Sequence, residues 1–279
     1  MRRRVVVSGY STVDYVVRAS GGFTGQGTTT MVADPGRLRP RAGGAPIYAC
    51  AALARAGHAA SPLTWLGDDE RHGGYLDVCR AEGVLQDGVE ILPGASTSTC
   101  LLIYHADGAY GCLIDTLAVA ATGRQLALAA EADVLVFAAG DAEASAQLLA
   151  HAKPGALIAW IAKRDPECFP PPLTRRLMTQ STIVFCNEGE RTWIDAIHGR
   201  RPGQVIFETR GERGVAIDSD AGPAFLPVHP LNAWDATGAG DTFAGAALGA
   251  LLNGLSPAEA AQLGAQAARR LLEGRLVER

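Results

Sequence analysis

Lysine is nearly absent from this 279-residue chain, confined to Lys153 and Lys163, and neither lies in a glycine-rich loop. A Walker-type P-loop, which needs such a lysine against the phosphates, is thereby excluded. No window reaches the roughly 18 apolar residues of a membrane span. Val5-Val6-Val7 behind Arg2-Arg3-Arg4 imitates the opening of a secretion signal, but the run halts at Ser8-Gly9, far short of an apolar h-region. It predicts a first buried strand instead. The six cysteines (Cys50, Cys79, Cys100, Cys112, Cys168 and Cys186) include no C-x-x-C pair and have no histidine cluster nearby. They read as reduced thiols acting as small hydrophobes, which gives the expectation of a cytoplasmic protein. Charge of one sign is not concentrated either. The formal net charge is −4 with acids and bases scattered, which offers no footing for a nucleic-acid surface. Internal repeats, low-complexity tracts and an interdomain linker are all missing.

What is there centres on Trp234-Asp235-Ala236-Thr237-Gly238-Ala239-Gly240-Asp241-Thr242-Phe243-Ala244-Gly245, which runs into the apolar helical stretch Ala246 to Leu252. A small-residue turn opening a helix leaves its first N–H groups free at the positive end of the helix dipole, which makes an anion site. Gly238, Ala239 and Gly240 are small enough to let a phosphate approach those amides. Asp241 is the odd member, because a carboxylate beside an anion site repels the anion. It belongs there if it takes a proton from whatever attacks that anion, which suits phosphoryl transfer to an alcohol. The plainer alternative is that Asp241 caps the helix.

Taken in order, Arg4 to Gly9 reads as a central strand of a parallel sheet. Asp14 interrupts the apolar stretch Val13 to Val17 just beyond it, where open α/β sheets place ligands; a turn or edge charge is the alternative. Gly21 to Pro40 shifts to Gly, Thr and Val, and Thr28 to Val32 favours a strand. Gly43-Gly44-Ala45-Pro46 opens a helix through Ala56 that Gly57 ends. Pro62 to Gly67 predicts a strand, Glu70 to Gly83 a helix, and Val84 to Leu92, Ser98 to His105 and Tyr110 to Thr116 further strands. Asp107-Gly108 signals a hairpin turn between the last two. From Thr122 helices and strands alternate, which predicts a parallel sheet with helices on both faces. Arg164, after the strand Ala156 to Ile161, is a phosphate or substrate candidate or else a solvated charge. Asn187-Glu188-Gly189-Glu190 follows a buried strand as a capping box. Arg210-Gly211-Glu212-Arg213-Gly214 reads as a turn between strands. Ser256-Pro257 starts a last helix, which Glu273-Gly274 is expected to end.

Asp-Ala-Thr-Gly-Ala-Gly-Asp-Thr-Phe-Ala-Gly closely resembles the C-terminal signature of the ribokinase-like (PfkB-type) carbohydrate and nucleoside kinases. Gly43-Gly44, Gly67-Asp68-Asp69 with Gly73, Asn187 to Glu190, and Thr209 with Gly211 and Gly214 resemble that family's other landmarks in chain order. The resemblance implies one domain over 1–279, a three-layer αβα sandwich with a mostly parallel sheet. It adds a small β-strand lid from about 13–41 and 84–116.

It also implies an ATP-dependent kinase phosphorylating an alcohol of a sugar or nucleoside. Asp241 is then the general base and Gly238, Ala239 and Gly240 form the anion hole. Asp14, Gly43 and Gly44 bind the acceptor, and Asn187, Thr209, Gly211, Gly214 and Thr237 bind ATP. Glu190 helps place Mg²⁺, which keeps most of its waters. Tyr48 stands where the family carries an Asn that commonly contacts sugar hydroxyls, which puts plain ribose recognition in question. A monovalent cation beside Asp235 and a homodimer through the lid strands are further expectations, the former left open by the short tail. A catalytically idle family fold that senses a sugar or nucleotide is the alternative, and a pure binder has no need of Asp241.

Overall fold

Side-chain alternation along single strands builds the layers. In β1 (Arg4–Ser8), Val5 and Val7 join one apolar cluster and Val6 the opposite one, as a two-residue period dictates. The computed structural model describes residues 1–21, 29, 31–33, 39–105, 110–117 and 119–277. After β1 come β2 (Thr12–Arg18), β3 (Arg41–Gly43), α1 (Ala45–Arg55), β4 (Ala59–Gly67) and α2 (Arg71–Ala81). Next are β5 (Val89–Leu92), β6 (Thr99–Tyr104), β7 (Tyr110–Asp115), α3 (Gly123–Glu131), β8 (Val134–Phe137) and α4 (Ala142–Ala150). The chain continues with β9 (Leu157–Ile161), α5 (Pro171–Gln180), β10 (Ile183–Asn187), α6 (Glu188–Ile197) and β11 (Val205–Thr209). It closes with β12 (Val215–Ser219), β13 (Gly222–Leu226), α7 (Ala239–Leu252) and α8 (Pro257–Val277).

Nine strands form one sheet in the order β13-β12-β11-β10-β9-β8-β1-β4-β5. Pairing is parallel from β5 to β11 and antiparallel for β12 and β13. One face is covered through Ile47, Leu53, Tyr75, Phe243 and Leu248, the other through Leu128, Leu148, Leu177, Met178 and Ile194. This is the expected three-layer α/β sandwich. β1 lies between β8 and β4, so strand order reverses there and the carboxyl ends open a crevice. Gly9 and Gly140 touch at that point: a Cβ on Gly140 would stand 2.8 Å from the Gly9 Cα.

A second sheet, β3-β2-β6-β7, stands apart from the first. The stretch 84–92 does not join it, because β5 extends the main sheet beside β4. Thr28 and Thr30 and the Asp107-Gly108 turn lie outside the described residues. β6 and β7 run antiparallel on either side of that turn.

Sequence reading left α5 and β13 unassigned, and it ended the last helix too early. α8 passes through Gly274 to Val277, and this extra turn carries Arg275 into the site. α1, α7 and α8 pack closely because glycines face their neighbours. A Cβ on Gly245 would lie 2.4 Å from the Ala49 carbonyl oxygen, and one on Gly264 would lie 2.7 Å from the Phe243 ring. Among the described residues no helix is long and apolar enough to cross a membrane.

Candidate active site

Gly238 caps the N-terminus of α7 with φ 72°, a left-handed conformation that favours glycine. A Cβ there would also strike the Tyr48 ring at 2.5 Å. No side chain caps this helix, so the capping role is not Asp241's; that residue sits inside the first turn. Ala239 N–H donates to the Ala236 carbonyl at 3.1 Å, and Thr242 N–H to the Gly238 carbonyl at 2.9 Å. Of the Gly238-Ala239-Gly240 amides, the middle one is therefore already engaged in the turn.

Phe243 holds this first turn over the sheet. Its ring meets Phe185 and Phe207 edge-on at 6.2 and 6.1 Å, and those two stack at 5.3 Å. Asp241, two residues before Phe243, faces the cavity that Tyr10 and Ala139 also line, just past β1 and β8. It is part-buried, and its carboxyl is pushed up to about 6. Burial is the largest cause, the charges of Glu190 and Asp14 add to it, and the Lys163 ammonium opposes it.

Asp14 lies within β2, buried to 2% exposure rather than at a turn or an edge. Its Oδ1 accepts the Thr12 hydroxyl at 2.6 Å. Burial raises its pKa, against the Thr12 hydrogen bond and the Arg41 charge. The carboxylate occupies the space a side chain on Gly43 would need, 2.1 Å from the Cβ position. Gly44, at φ 88°, presses on the Tyr10 carbonyl in the same way. Both glycines thus serve close approach, one to Asp14 and one to the backbone after β1.

Asp14, Gly44, Tyr48, Thr237, Gly238 and Asp241 line one cavity. Tyr10, Thr12 and Cys100 line it too, and sequence reading missed all three. Tyr10 and Thr12 lay in plain view after the first strand. Cys100 arrives from β6, and its sulfur is 3.3 Å from that of Cys112, a proximity that strand spacing alone does not reveal.

Asn187, Glu190, Thr209, Gly211 and Gly214 do not line this cavity; they cluster where β10 and β11 end. Asn187 and Thr209 are register partners. The capping box is formed in full: Glu190 N–H donates to Asn187 Oδ1, and Asn187 N–H to Glu190 Oε2, each at 2.8 Å. Glu190 is buried, which raises its pKa against the Asn187 N–H, the Lys163 charge and the Arg164 N–H. Gly211 to Gly214 turns β11 into β12, with a Gly214 Cβ position only 2.1 Å from the Leu226 carbonyl oxygen. Lys163, which no glycine loop surrounds, is a charge that lowers the pKa of both Asp241 and Glu190. Arg164 contributes its backbone N–H to Glu190.

Behind the Gly238 turn, Asp235 is buried and fully partnered. Arg41 Nη1 donates to its Oδ2 at 2.7 Å, and Thr237 N–H donates to its Oδ1 at 3.0 Å. Arg275 Nη1 lies 3.5 Å from that same Oδ1 and donates to the Asp235 carbonyl at 3.3 Å. Burial pushes the Asp235 carboxyl up, but the Arg41 hydrogen bond and the two guanidinium charges outweigh it and hold the group below its ordinary value. Arg275 Nη2 also donates to the Tyr48 hydroxyl at 3.3 Å. Tyr104 on β6 meets Thr237 hydroxyl to hydroxyl at 3.1 Å. Two residues of the smaller sheet, Arg41 and Tyr104, thus tie it to the turn.

A family model described as pfkB family carbohydrate kinase matches residues 2–274. Over 274 residues the chain is 29% identical to a cytidine kinase of Thermococcus kodakarensis, spanning 88% of this chain and 92% of that protein. The fold is shared with a Burkholderia thailandensis nucleoside kinase solved with inosine, at TM-score 0.76 and 21% identity, covering 95% of this chain and 89% of the other. It is shared too with a Cryptococcus neoformans ribokinase in complex with ADP, at TM-score 0.79 and 21% identity, covering 95% and 92%.

Proposed function

The chain belongs to the pfkB family of carbohydrate kinases, and from that premise we propose that it moves the terminal phosphoryl group of ATP onto an alcohol of a nucleoside, with Asp241 as general base. The observation carrying this reading is that Asp14, Asp241 and the Gly238 turn line one cavity, with the charges of Glu190 and Lys163 felt at Asp241 as well.

Asp14 accepts hydrogen bonds from acceptor hydroxyls and so orients the reacting one. Asp241, its carboxylate made more basic by burial, takes the proton as the hydroxyl oxygen attacks phosphorus. The Gly238 and Gly240 amides and the α7 dipole stabilise the charge on the transferred group, and Lys163 adds a cation. Asn187, Thr209 and the Gly211 to Gly214 turn receive the nucleotide. Glu190 fits Mg²⁺ in a limited sense: no cluster of three or more ligating side chains occurs among the described residues, so the ion would be held by Glu190 and the nucleotide's phosphates. There it would supply neutralisation of phosphate charge.

Preference for a nucleoside over a bare pentose rests on Tyr10 and Tyr48, two aromatic rings lining the cavity, which suit a planar group. Likeness to a cytidine kinase agrees. The smaller sheet acts as a lid. Its strand β7 exposes Tyr110, Leu113 and Ile114, apolar cover that a second copy of the chain supplies in a dimer. Coupled ATP-consumption assays against pentoses, hexoses, sugar phosphates, sugar acids and nucleosides test the proposal. Nucleosides should give the highest kcat/KM. A bare pentose ranking first refutes the acceptor class, and absence of turnover with every acceptor favours a sensing fold.

A further inference from the structure

Asp235, at the start of the phosphate turn, is where the family resemblance implies a monovalent cation, and its surroundings do not fit one. Hard cations are held by several oxygens that are free to turn towards them. Here Oδ2 faces Arg41 at 2.7 Å, Oδ1 faces the Thr237 N–H at 3.0 Å, and the backbone carbonyl faces Arg275 at 3.3 Å. A further cation would stand against two guanidinium groups with no uncommitted carboxylate oxygen to hold it.

The geometry points to a built-in substitute: the Arg41 and Arg275 guanidinium groups do at Asp235 what a bound monovalent cation would do, so that the phosphate turn is held without one. This inference rests on the kinase reading above for its effect on rate, but not for its effect on binding. Arg275 is a positioning residue. Its two nitrogens grip the Asp235 carbonyl and the Tyr48 hydroxyl, and the Tyr48 ring underlies Gly238. The helix passing through Gly274 therefore braces the backbone whose amides must face the phosphoryl group. Arg41 comes from β3 and fixes the same carboxylate from the smaller sheet. Fixed guanidinium groups differ from a diffusible ion in one measurable respect: the site's order does not depend on which salt is present.

Two readouts decide the matter, each at equal ionic strength in potassium, sodium or tetramethylammonium chloride. Thermal melting of the wild-type chain should be the same in all three, and kcat with the best acceptor should be the same as well. Arg275→Met should lower kcat by about 10–100-fold, the scale of a mis-set anion site, with acceptor KM changed far less. It should also acquire a potassium-specific rise in melting temperature, as Asp235 gains room and need for an ion. Arg275→Lys should recover most of the rate. Potassium-specific stabilisation or activation of the wild type overturns the inference, and so does a wild-type kcat in Arg275→Met. If Arg275→Met fails to fold, the wild-type salt comparison and Arg275→Lys still decide it. If the wild type turns over no acceptor, the kinase reading fails, and the melting comparison alone judges the cation inference.

Discussion

Replacing Asp241 by Asn removes one negative charge and little volume, and it should change rate and stability in opposite directions. A positioned base contributes about 10²–10⁴-fold, which at 1.36 kcal/mol per tenfold is roughly 3–5 kcal/mol of barrier. The carboxyl titrates at about 6 instead of its ordinary 3.8, so kcat/KM of the wild type should fall about tenfold per pH unit below that value, while the residual rate of Asp241→Asn should be flat. For stability, a folded-state pKa above the unfolded one means that the protonated form is favoured by folding. That contribution is present in full below about pH 4 and is lost as pH rises through about 6. The loss is at most ~3 kcal/mol, and smaller because the group is part-exposed to screening water. Asn carries no charge and avoids it. The variant should therefore melt a few degrees above the wild type at pH 7, at about 2–4 °C per kcal/mol, and level with it at pH 4. Coupled ADP-release kinetics and melts from pH 4 to 8 measure both. An unchanged kcat, or a melting difference independent of pH, refutes the reasoning.

Asp14→Ala should reduce acceptor kcat/KM by about 10–100-fold, since charge-assisted hydrogen bonds are worth roughly 1.5–3 kcal/mol each, and should leave ATP affinity intact; weakened ATP binding instead would count against its place on the acceptor side. Glu190→Gln keeps a capping-competent side chain, so the melt should hold while the Mg²⁺ concentration for half-maximal rate rises; an unmoved magnesium titration with a lower melt would leave capping as its whole job. Lys163→Met should raise the lower pH limit of kcat/KM, because the ammonium holds the Asp241 pKa down, and a profile that stays put removes Lys163 from the site. Tyr48→Asn should change the ranking of acceptors, with the best nucleoside losing more than the best sugar; an identical ranking would mean the ring serves only to support Gly238.

The α/β alternation after Thr122 and the buried runs at β1, β8 and β10 were legible because a strand covered on both faces writes itself as an unbroken apolar run. The Gly238 to Asp241 turn was legible for a related reason: a left-handed cap packed on the Tyr48 ring excludes a side chain at Gly238, and the exclusion shows as glycine. Local capping was equally plain, and Asn187 and Glu190 form the box their spacing announced. None of this fixes which distant groups share a space. Asp14 reads in sequence as a ligand group or else an edge charge, and it is buried because β2 turns into a second sheet, where Gly43 leaves room for its carboxylate. The Lys163 charge reaches two carboxylates, Asp241 and Glu190, across parallel neighbours β9 and β10, a relation with no trace in local spacing. Asp235 is 194 residues from Arg41 and 40 from Arg275 in sequence, and the helix carrying Arg275 runs through a glycine that local signals mark as its end. Local chemistry is written residue by residue, since caps, turns and apolar periods act over a few positions. The charge balance around Asp235 and Asp241 belongs to the packing, because burial and long-range pairing set it and neither exists until the sheet and its helices have closed.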